Sequence, residues 1–226
     1  MSLSTLLQNI ADAEQGPKTC AVFDFDGTII SGYSATAFLK DQIARGEISP
    51  ADLVQLTQAA TRFGIGSLGF SALMAVHAQY LAGRSEADYV ANSERLFRRA
   101  IAKLIYPEAR QLIEAHRAAG HSIAIISSAT PYQVLPAARD LGIEHVYATD
   151  LQVEDGQFTG GVVQPTCFGI GKVHAAERFT AQQGSDLENC FFYSDSTDDI
   201  ELLETAGLPV VLNGNREVKK IAHEEN

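Results

Sequence analysis

The chain has 226 residues, of which 46% are hydrophobic and 20% are charged, as is typical of globular proteins. This length allows one domain with an insertion, or two modest domains. The net charge of −11 argues against nucleic acids and anionic membranes as direct partners. No apolar run reaches the ~18–20 residues of a membrane span. An anionic substrate must therefore be held by a cation, a lysine or backbone amides.

The beginning of the chain and the cysteines favour a cytoplasmic location. Residues 1–18 lack a basic region followed by a long apolar one, so we expect no secretory signal. Cys20, Cys167 and Cys190 are far apart and form neither a disulfide framework nor a zinc pattern. Such usage is typical of a reducing compartment. None of the six histidines stands at ligand spacing.

About the first half of the chain is predicted to be one strand between helices. Apolar residues at helical spacing between Leu3 and Ile10 predict a short first helix. Residues 19–26 (TCAVFDFD) read as a buried strand that ends in two acids. A long helical block follows over residues 32–120, with helix starts predicted at Ser49-Pro50 and at Ser85.

From residue 121 onward, strands alternate with helices. Strands are predicted over residues 121–128, 145–149, 189–195 and 209–213, with a hairpin at 151–163 that turns at Asp155-Gly156. Helices are predicted over residues 130–142, 171–184, 197–207 and 216–225. This alternation implies a parallel sheet. We therefore predict an α/β fold with a Rossmann-like parallel sheet. Its core domain comprises residues 1–31 and 121–226, and residues 32–120 form an inserted helical cap domain.

Small or acidic residues follow three of the predicted strands. Ligands of open α/β sheets bind beyond the carboxyl ends of the strands. The residues at these ends are Asp24, Asp26, Gly27 and Thr28, then Ser127 and Ser128, then Asp195 and Asp199. Neighbouring carboxylates repel, and hard oxygen ligands suit Mg²⁺. We expect Asp24 and Asp195 to bind the ion directly and Asp199 to hold a metal-bound water.

Lys172 is the predicted ligand of a phosphate group. It follows Gly169 and Gly171 at a predicted helix start, where free amides also favour anions. A nucleotide P-loop is excluded, because its pattern requires glycine where Thr166 stands and serine or threonine where Val173 stands.

Together these residues resemble a known family. DFDGT at 24–28, Ser127 at a strand end, Lys172, and DSTDD at 195–199 resemble the four motifs of the haloacid dehalogenase superfamily. The order of the motifs, and the helical insertion between the first and second, resemble its phosphoserine-phosphatase-like branch. The resemblance covers about residues 18 to 220.

The resemblance implies a Mg²⁺-dependent phosphatase. Asp24 would be the nucleophile that forms an aspartyl-phosphate, and Asp26 the general acid and then the general base. The implied metal ligands are Asp24, Asp26 through its backbone carbonyl, Asp195 and Asp199. The implied phosphate-binding residues are Gly27, Thr28, Ser127, Ser128 and Lys172. The implied partner is a small phosphomonoester.

One departure from the resemblance concerns the substrate. Phosphoserine phosphatases carry a glutamate nine residues after the nucleophile, where this chain has Tyr33. Phosphoserine is therefore disfavoured, and a lipid-type phosphomonoester is an alternative. In the cap, Arg62 and Phe63 begin a glycine-containing stretch that is a candidate lid over the substrate. Two other readings stay open: a phosphomutase or phosphotransferase, and a regulatory module of a longer, acyltransferase-fused protein.

Overall fold

The structure is a computed structural model that describes residues 2–214. The helices are α1 (Leu3–Asp12), α2 (Ser34–Ala44), α3 (Pro50–Gly64), α4 (Phe70–Leu81), α5 (Glu86–Leu96), α6 (Pro107–Ala118), α7 (Pro131–Leu141), α8 (Ile170–Gln182) and α9 (Ile200–Thr205). The strands are β1 (Cys20–Phe23), β2 (Ser122–Ile126), β3 (His145–Tyr147), β4 (Leu151–Glu154), β5 (Gln157–Val162), β6 (Cys190–Ser194) and β7 (Leu208–Val211). None of these helices is long and apolar enough to cross a membrane.

Five strands form a parallel sheet in the order β3-β2-β1-β6-β7. The hairpin β4–β5 pairs antiparallel and forms a separate two-stranded sheet. The predicted α/β fold with a parallel sheet is confirmed. In the register of the central strand, Phe23 lies beside Ile125 of β2 and Tyr193 of β6.

The central strand β1 is apolar along its whole length because both faces of the sheet are covered. All four of its residues are fully buried. Ala21 and Phe23 join one hydrophobic cluster, and Cys20 and Val22 join another. This alternation is the two-residue period of a strand. A parallel sheet with both faces covered requires such a continuous apolar run.

Between β1 and β2 the structure describes helices α2 to α6, with a π-helical turn at Phe97–Ile101 and a short 3₁₀ helix at Ala102–Leu104. Serine residues set two of the helix starts, as predicted. Ser49 accepts a hydrogen bond from the amide of Asp52, and Ser85 accepts one from the amide of Asp88. Such caps satisfy backbone donors that the helix leaves open.

The division into core and cap at residues 31/32 and 120/121 stays a prediction. Helix α6, which lies inside the range 32–120, packs against α1 and β2. Its Leu112 and Ile113 belong to the same cluster as Phe23. The helix predicted over 197–207 begins as a 3₁₀ turn at Thr197–Asp199, and the helix predicted over 216–225 lies outside the described residues.

Candidate active site

Three neighbouring strands deliver the predicted residues to one edge of the sheet. Asp24 follows β1, Ser127 follows β2, and Asp195 follows β6. The parallel register of these strands places their carboxyl ends side by side. Asp24 and Ser127 are buried, whereas Asp195 is half-buried. Asp195 is therefore the one of these three side chains that solvent partly reaches.

Lys172 joins two of the acids. It lies in the first turn of α8, and its side chain is only 4% exposed. Its Nζ donates to Oδ1 of Asp24 at 2.7 Å, and both oxygens of Asp199 lie within 2.8 Å of the same nitrogen. The hydroxyl of Ser194 donates to Oδ2 of Asp199 at 2.7 Å. Burial alone would lower the pKa of Lys172, but Asp199 and Asp24 raise it above its ordinary value.

Negative charge nevertheless exceeds positive charge at this edge. Burial raises the pKa of Asp24 to about 7, although Lys172 opposes this shift. Burial also raises the pKa of Asp26 to about 6, against two hydrogen bonds from Ser34. The pKa of Asp195 is raised by burial as well. Carboxylates with raised pKa values around a single lysine are typical of functional sites and of cation-binding sites.

Gly27 stands where only glycine fits. Its φ is +80°, and an added Cβ would lie 2.2 Å from Oδ2 of Asp195. Its N–H donates to the carbonyl oxygens of Ile30 at 2.9 Å and Gly32 at 3.1 Å. This amide, which the sequence predicted for phosphate binding, is thus engaged within the turn. Thr28 is fully buried, and its hydroxyl donates to Oδ1 of Asp195 at 3.3 Å.

The two predicted serines follow β2 but differ in burial. Ser127 is 1% exposed, and its Oγ accepts a hydrogen bond from the amide of Ala129 at 3.2 Å. Its own N–H donates to the carbonyl of Tyr147 on the adjacent strand. Ser128 is half-buried. Ser127 is thus buried at the carboxyl end of β2, and its hydroxyl is engaged in the turn that leads into α7.

The donors fit Mg²⁺, although they do not form a cluster of three or more acids. Within residues 2–214, no group of three His, Cys, Asp or Glu side chains is arranged to hold a metal ion. Lys172 engages Asp199, and Ser34 engages both oxygens of Asp26. Lys172 also binds Oδ1 of Asp24, so Oδ2 of Asp24 and the carboxylate of Asp195 remain as donors. Mg²⁺ usually takes one or two carboxylates and keeps several waters, so this donor set suits it.

The predicted cap residues lie in different surroundings. Tyr33 immediately precedes α2 and is 70% exposed, yet desolvation and the nearby carboxylates of Asp195 and Asp26 raise the pKa of its phenol. It therefore lies close to the acids. Arg62 is exposed. Phe63 packs edge-on against Phe168, with ring centroids 5.9 Å apart.

Sequence reasoning missed Phe168. Phe70 is the last residue of the glycine-containing stretch that begins at Arg62, but its stacking was not predicted. The rings of Phe70 and Phe168 stack at 4.4 Å, and Phe63 packs edge-on against Phe70 at 6.0 Å. Phe168 comes four residues before Lys172, so this aromatic cluster joins the helical insertion to the segment that carries the lysine. The only sequence feature that could have indicated this contact is the position of Phe168 at the start of FGIGK, the segment that ends in Lys172. The sequence also offered no sign of Ser34, which binds Asp26.

Comparison with known proteins identifies the family. The model of haloacid dehalogenase-like hydrolases matches residues 21–204. A probable phosphatase of Mycobacterium tuberculosis is 33% identical over 208 residues, which cover 91% of this chain and 72% of the relative. A phosphoserine phosphatase of the same organism is 32% identical over 209 residues, covering 90% of this chain and 68% of the relative. The chain belongs to the haloacid dehalogenase-like hydrolase family.

A solved structure shares this fold. A protein of unknown function from Bordetella pertussis superimposes with a TM-score of 0.84 at 27% identity, covering 91% of this chain and 95% of that one. The predicted family resemblance is therefore confirmed, as is the predicted class of enzyme, a phosphatase of this family.

Proposed function

We propose that this chain hydrolyses a small phosphomonoester through an aspartyl-phosphate on Asp24. One observation carries the proposal: the buried ammonium of Lys172 lies between Asp24 and Asp199, at the same sheet edge as Asp195. A buried carboxylate beside a fixed cation can act as a nucleophile toward an anionic phosphoryl group. The probable phosphatase at 33% identity supports the same reaction class.

In the first step, one oxygen of Asp24 attacks phosphorus and the bond from phosphorus to the leaving oxygen breaks. Lys172 holds this carboxylate in place through Oδ1. Asp26 gives its proton to the leaving alcohol. In the second step, Asp26 takes a proton from water, which attacks phosphorus and releases phosphate from Asp24. Acid–base assistance of this kind contributes roughly 10²–10⁴-fold in rate.

The remaining predicted residues bind charge. Lys172 and Ser127, together with the turn at Gly27 and Thr28, are proposed to line the phosphate position. Asp24 and Asp195, with the backbone carbonyl of Asp26, would hold Mg²⁺. When bound, this ion supplies positive charge that stabilises the phosphoryl oxygens. Ser128 is proposed to lie beside the phosphate position. Asp199 binds Lys172, and its predicted role in holding a metal-bound water stays a prediction.

The substrate is proposed from what surrounds the acids. Tyr33 supplies no carboxylate for the amino group of phosphoserine, so we expect phosphoserine to be a poor substrate. One relative is nevertheless named as a phosphoserine phosphatase. The exposed phenol of Tyr33 and the ring of Phe63 favour a less polar leaving group, including a lipid-type phosphomonoester. The chain's net charge of −11 disfavours nucleic acid as a substrate. A cytoplasmic location stays a prediction.

The test is phosphate release from a panel of phosphomonoesters without any sugar acceptor. The panel contains 4-nitrophenyl phosphate, an alkyl phosphate, phosphoserine and a lysophosphatidic acid. We expect Asp24→Asn to reduce release to background while it keeps the fold, and Asp12→Asn, on the exposed face of α1, to act as wild type. We expect kcat/KM for phosphoserine below ~10⁴ M⁻¹s⁻¹.

The outcomes separate the alternatives. An active Asp24→Asn enzyme would remove Asp24 as the nucleophile. A wild-type enzyme that releases phosphate only when an acceptor alcohol is present would instead be a phosphotransferase or mutase. No release from any substrate would favour the regulatory-module reading.

A further inference from the structure

A chain of buried and part-buried hydrogen bonds holds the side chain of Asp26. Both of its oxygens bind Ser34, the first residue of α2. Oδ1 accepts from the Ser34 amide at 2.7 Å, and Oδ2 lies 3.0 Å from the Ser34 hydroxyl oxygen. Ser34 is fully buried. A carboxylate that is bound at both oxygens by one residue has little freedom to rotate.

Gln133 of α7 extends this chain and sets its direction. Its Oε1 accepts hydrogen bonds from the amide and the hydroxyl of Thr130, both at 2.8 Å. These two donors identify Oε1 as the oxygen and leave Nε2 to face Ser34, 2.9 Å from Oγ. An amide nitrogen can only donate, so Oγ of Ser34 accepts this bond and directs its own proton to Asp26.

This hydrogen-bond chain joins three parts of the fold. Asp26 follows β1, Ser34 begins the helical insertion, and Gln133 lies 99 residues further along the sequence, just beyond the turn of Ser127. Gln133 is 5% exposed and Thr130 is fully buried. Buried polar groups destabilise a fold unless they form hydrogen bonds, and each hydroxyl and amide in this hydrogen-bond chain has a partner.

We propose that Ser34 and Gln133 are positioning residues that aim the carboxyl group of Asp26 at the leaving oxygen of the substrate. The inference rests on the proposed function, in which Asp26 donates a proton to that oxygen. Proton transfer requires hydrogen-bond reach and alignment, and small misplacements reduce rates strongly. Neither residue touches the substrate. They act by restricting the rotation of the carboxyl group.

A purely structural role would predict different kinetics. If Ser34 only stabilised the start of α2, its loss would weaken the fold and reduce activity equally on all substrates. If Ser34 positions the proton donor, its loss reduces the rate most for substrates whose leaving oxygen needs a proton. The test therefore compares 4-nitrobenzyl phosphate, with a basic alkoxide leaving group, and 4-nitrophenyl phosphate, whose leaving group is stable as an anion. The two differ by one methylene.

For Ser34→Ala we expect kcat/KM on the benzyl ester to fall between about 10- and 100-fold, below the ~10²–10⁴-fold of complete acid–base assistance. The fall on the phenyl ester should be several times smaller. Gln133→Met, which keeps the shape but removes the group that orients the hydroxyl, should show the same bias to a lesser degree. Ser34→Thr, which keeps a hydroxyl, should restore most of the activity on the benzyl ester.

The matched control is Ser93→Ala. Ser93 is also a buried serine on a helix of the insertion, but its hydroxyl donates to the carbonyl of Tyr89 in its own helix. We expect this variant to treat both esters alike. Thermal unfolding of each variant verifies the fold. If Ser34→Ala does not fold, Gln133→Met carries the test.

Equal losses on the two esters in folded Ser34→Ala and Gln133→Met, or no loss on either ester, would overturn the positioning role. A different observation would contradict the proposed function itself. In that case the wild-type protein would release phosphate from neither ester.

Discussion

Replacing Lys172 with methionine should both destabilise the protein and inactivate it. Methionine keeps an unbranched stem but removes the ammonium group. That group lies 2.7 Å from Oδ1 of Asp24 and 2.8 Å from Oδ2 of Asp199. Asp24 is 5% exposed and Asp199 is 2% exposed, so water replaces the lost partner poorly. The substitution leaves two buried carboxylates facing each other.

The expected cost is large compared with the stability of a domain. At 2.7 Å and an effective dielectric constant of about 20, one ion pair has a gross attraction of about 6 kcal/mol. Desolvation offsets much of this, and removing one partner of a buried pair costs about 3–5 kcal/mol. The whole free energy of unfolding of a domain is only about 5–15 kcal/mol. Lys172→Met should therefore lower the free energy of unfolding by about 3–5 kcal/mol near neutral pH.

The loss should depend on pH. Burial raises the folded-state pKa of Asp24 from 3.8 to about 7, and Lys172 limits that rise. A carboxyl group with a raised folded-state pKa binds more protons when folded, so it makes stability fall as pH rises above its unfolded value. Without Lys172 this pKa rises further. The stability of Lys172→Met should therefore continue to fall above about pH 7, where the contribution of Asp24 to the pH dependence of wild type levels off.

The assay is urea unfolding followed by circular dichroism at pH 5 and pH 7.5, without divalent cations, together with phosphate release. Lys40→Met, which removes an exposed lysine on α2, serves as the control. We expect the gap between wild type and Lys172→Met to be wider at pH 7.5. A variant within about 1 kcal/mol of wild type at both pH values, with comparable kcat/KM, would refute the reasoning.

Three further predictions concern other parts of the molecule. His116 is fully buried, and burial with the neighbouring His121 lowers its pKa to about 3. The unfolded chain therefore binds the extra proton below about pH 6.5, and stability should fall by up to about 1.4 kcal/mol for each pH unit between 6.5 and 3. Urea unfolding across this pH range should show that the free energy of unfolding of His116→Gln depends less steeply on pH than that of wild type. Equal pH dependence of the two proteins would contradict the lowered pKa of His116. Chelation with EDTA should silence phosphate release and Mg²⁺ should restore it, whereas full activity in EDTA would remove the metal from the proposal. Phe168→Ala removes a stacked ring worth about 0.5–1.5 kcal/mol. If the aromatic cluster closes the insertion over the substrate, KM should rise up to about 10-fold with the fold intact, and an unchanged KM would show that the contact is only structural.

Much of the fold was accessible to sequence reasoning because its signals are local. The strands β1, β2 and β6 are short apolar runs bounded by turns, and such runs predict buried strands. Asp155-Gly156 predicted the hairpin, and both residues adopt positive φ there. The separation of this hairpin from the main sheet was not predicted, because pairing partners that are distant in sequence leave no periodic signal.

The candidate site shows the same division. The sequence by itself determined which residue types end each strand, because motif order and strand periodicity are local properties of the chain. The tertiary structure alone decided what each of them touches. Lys172 reaches Asp24 across 148 residues of sequence, and Asp195 fills the space that a side chain at Gly27 would occupy. Gln133 and Ser34 carry no motif. Their hydrogen bonds to each other and to Asp26 exist only because packing brings α2, α7 and the end of β1 together, and such distances follow from the packed core as a whole.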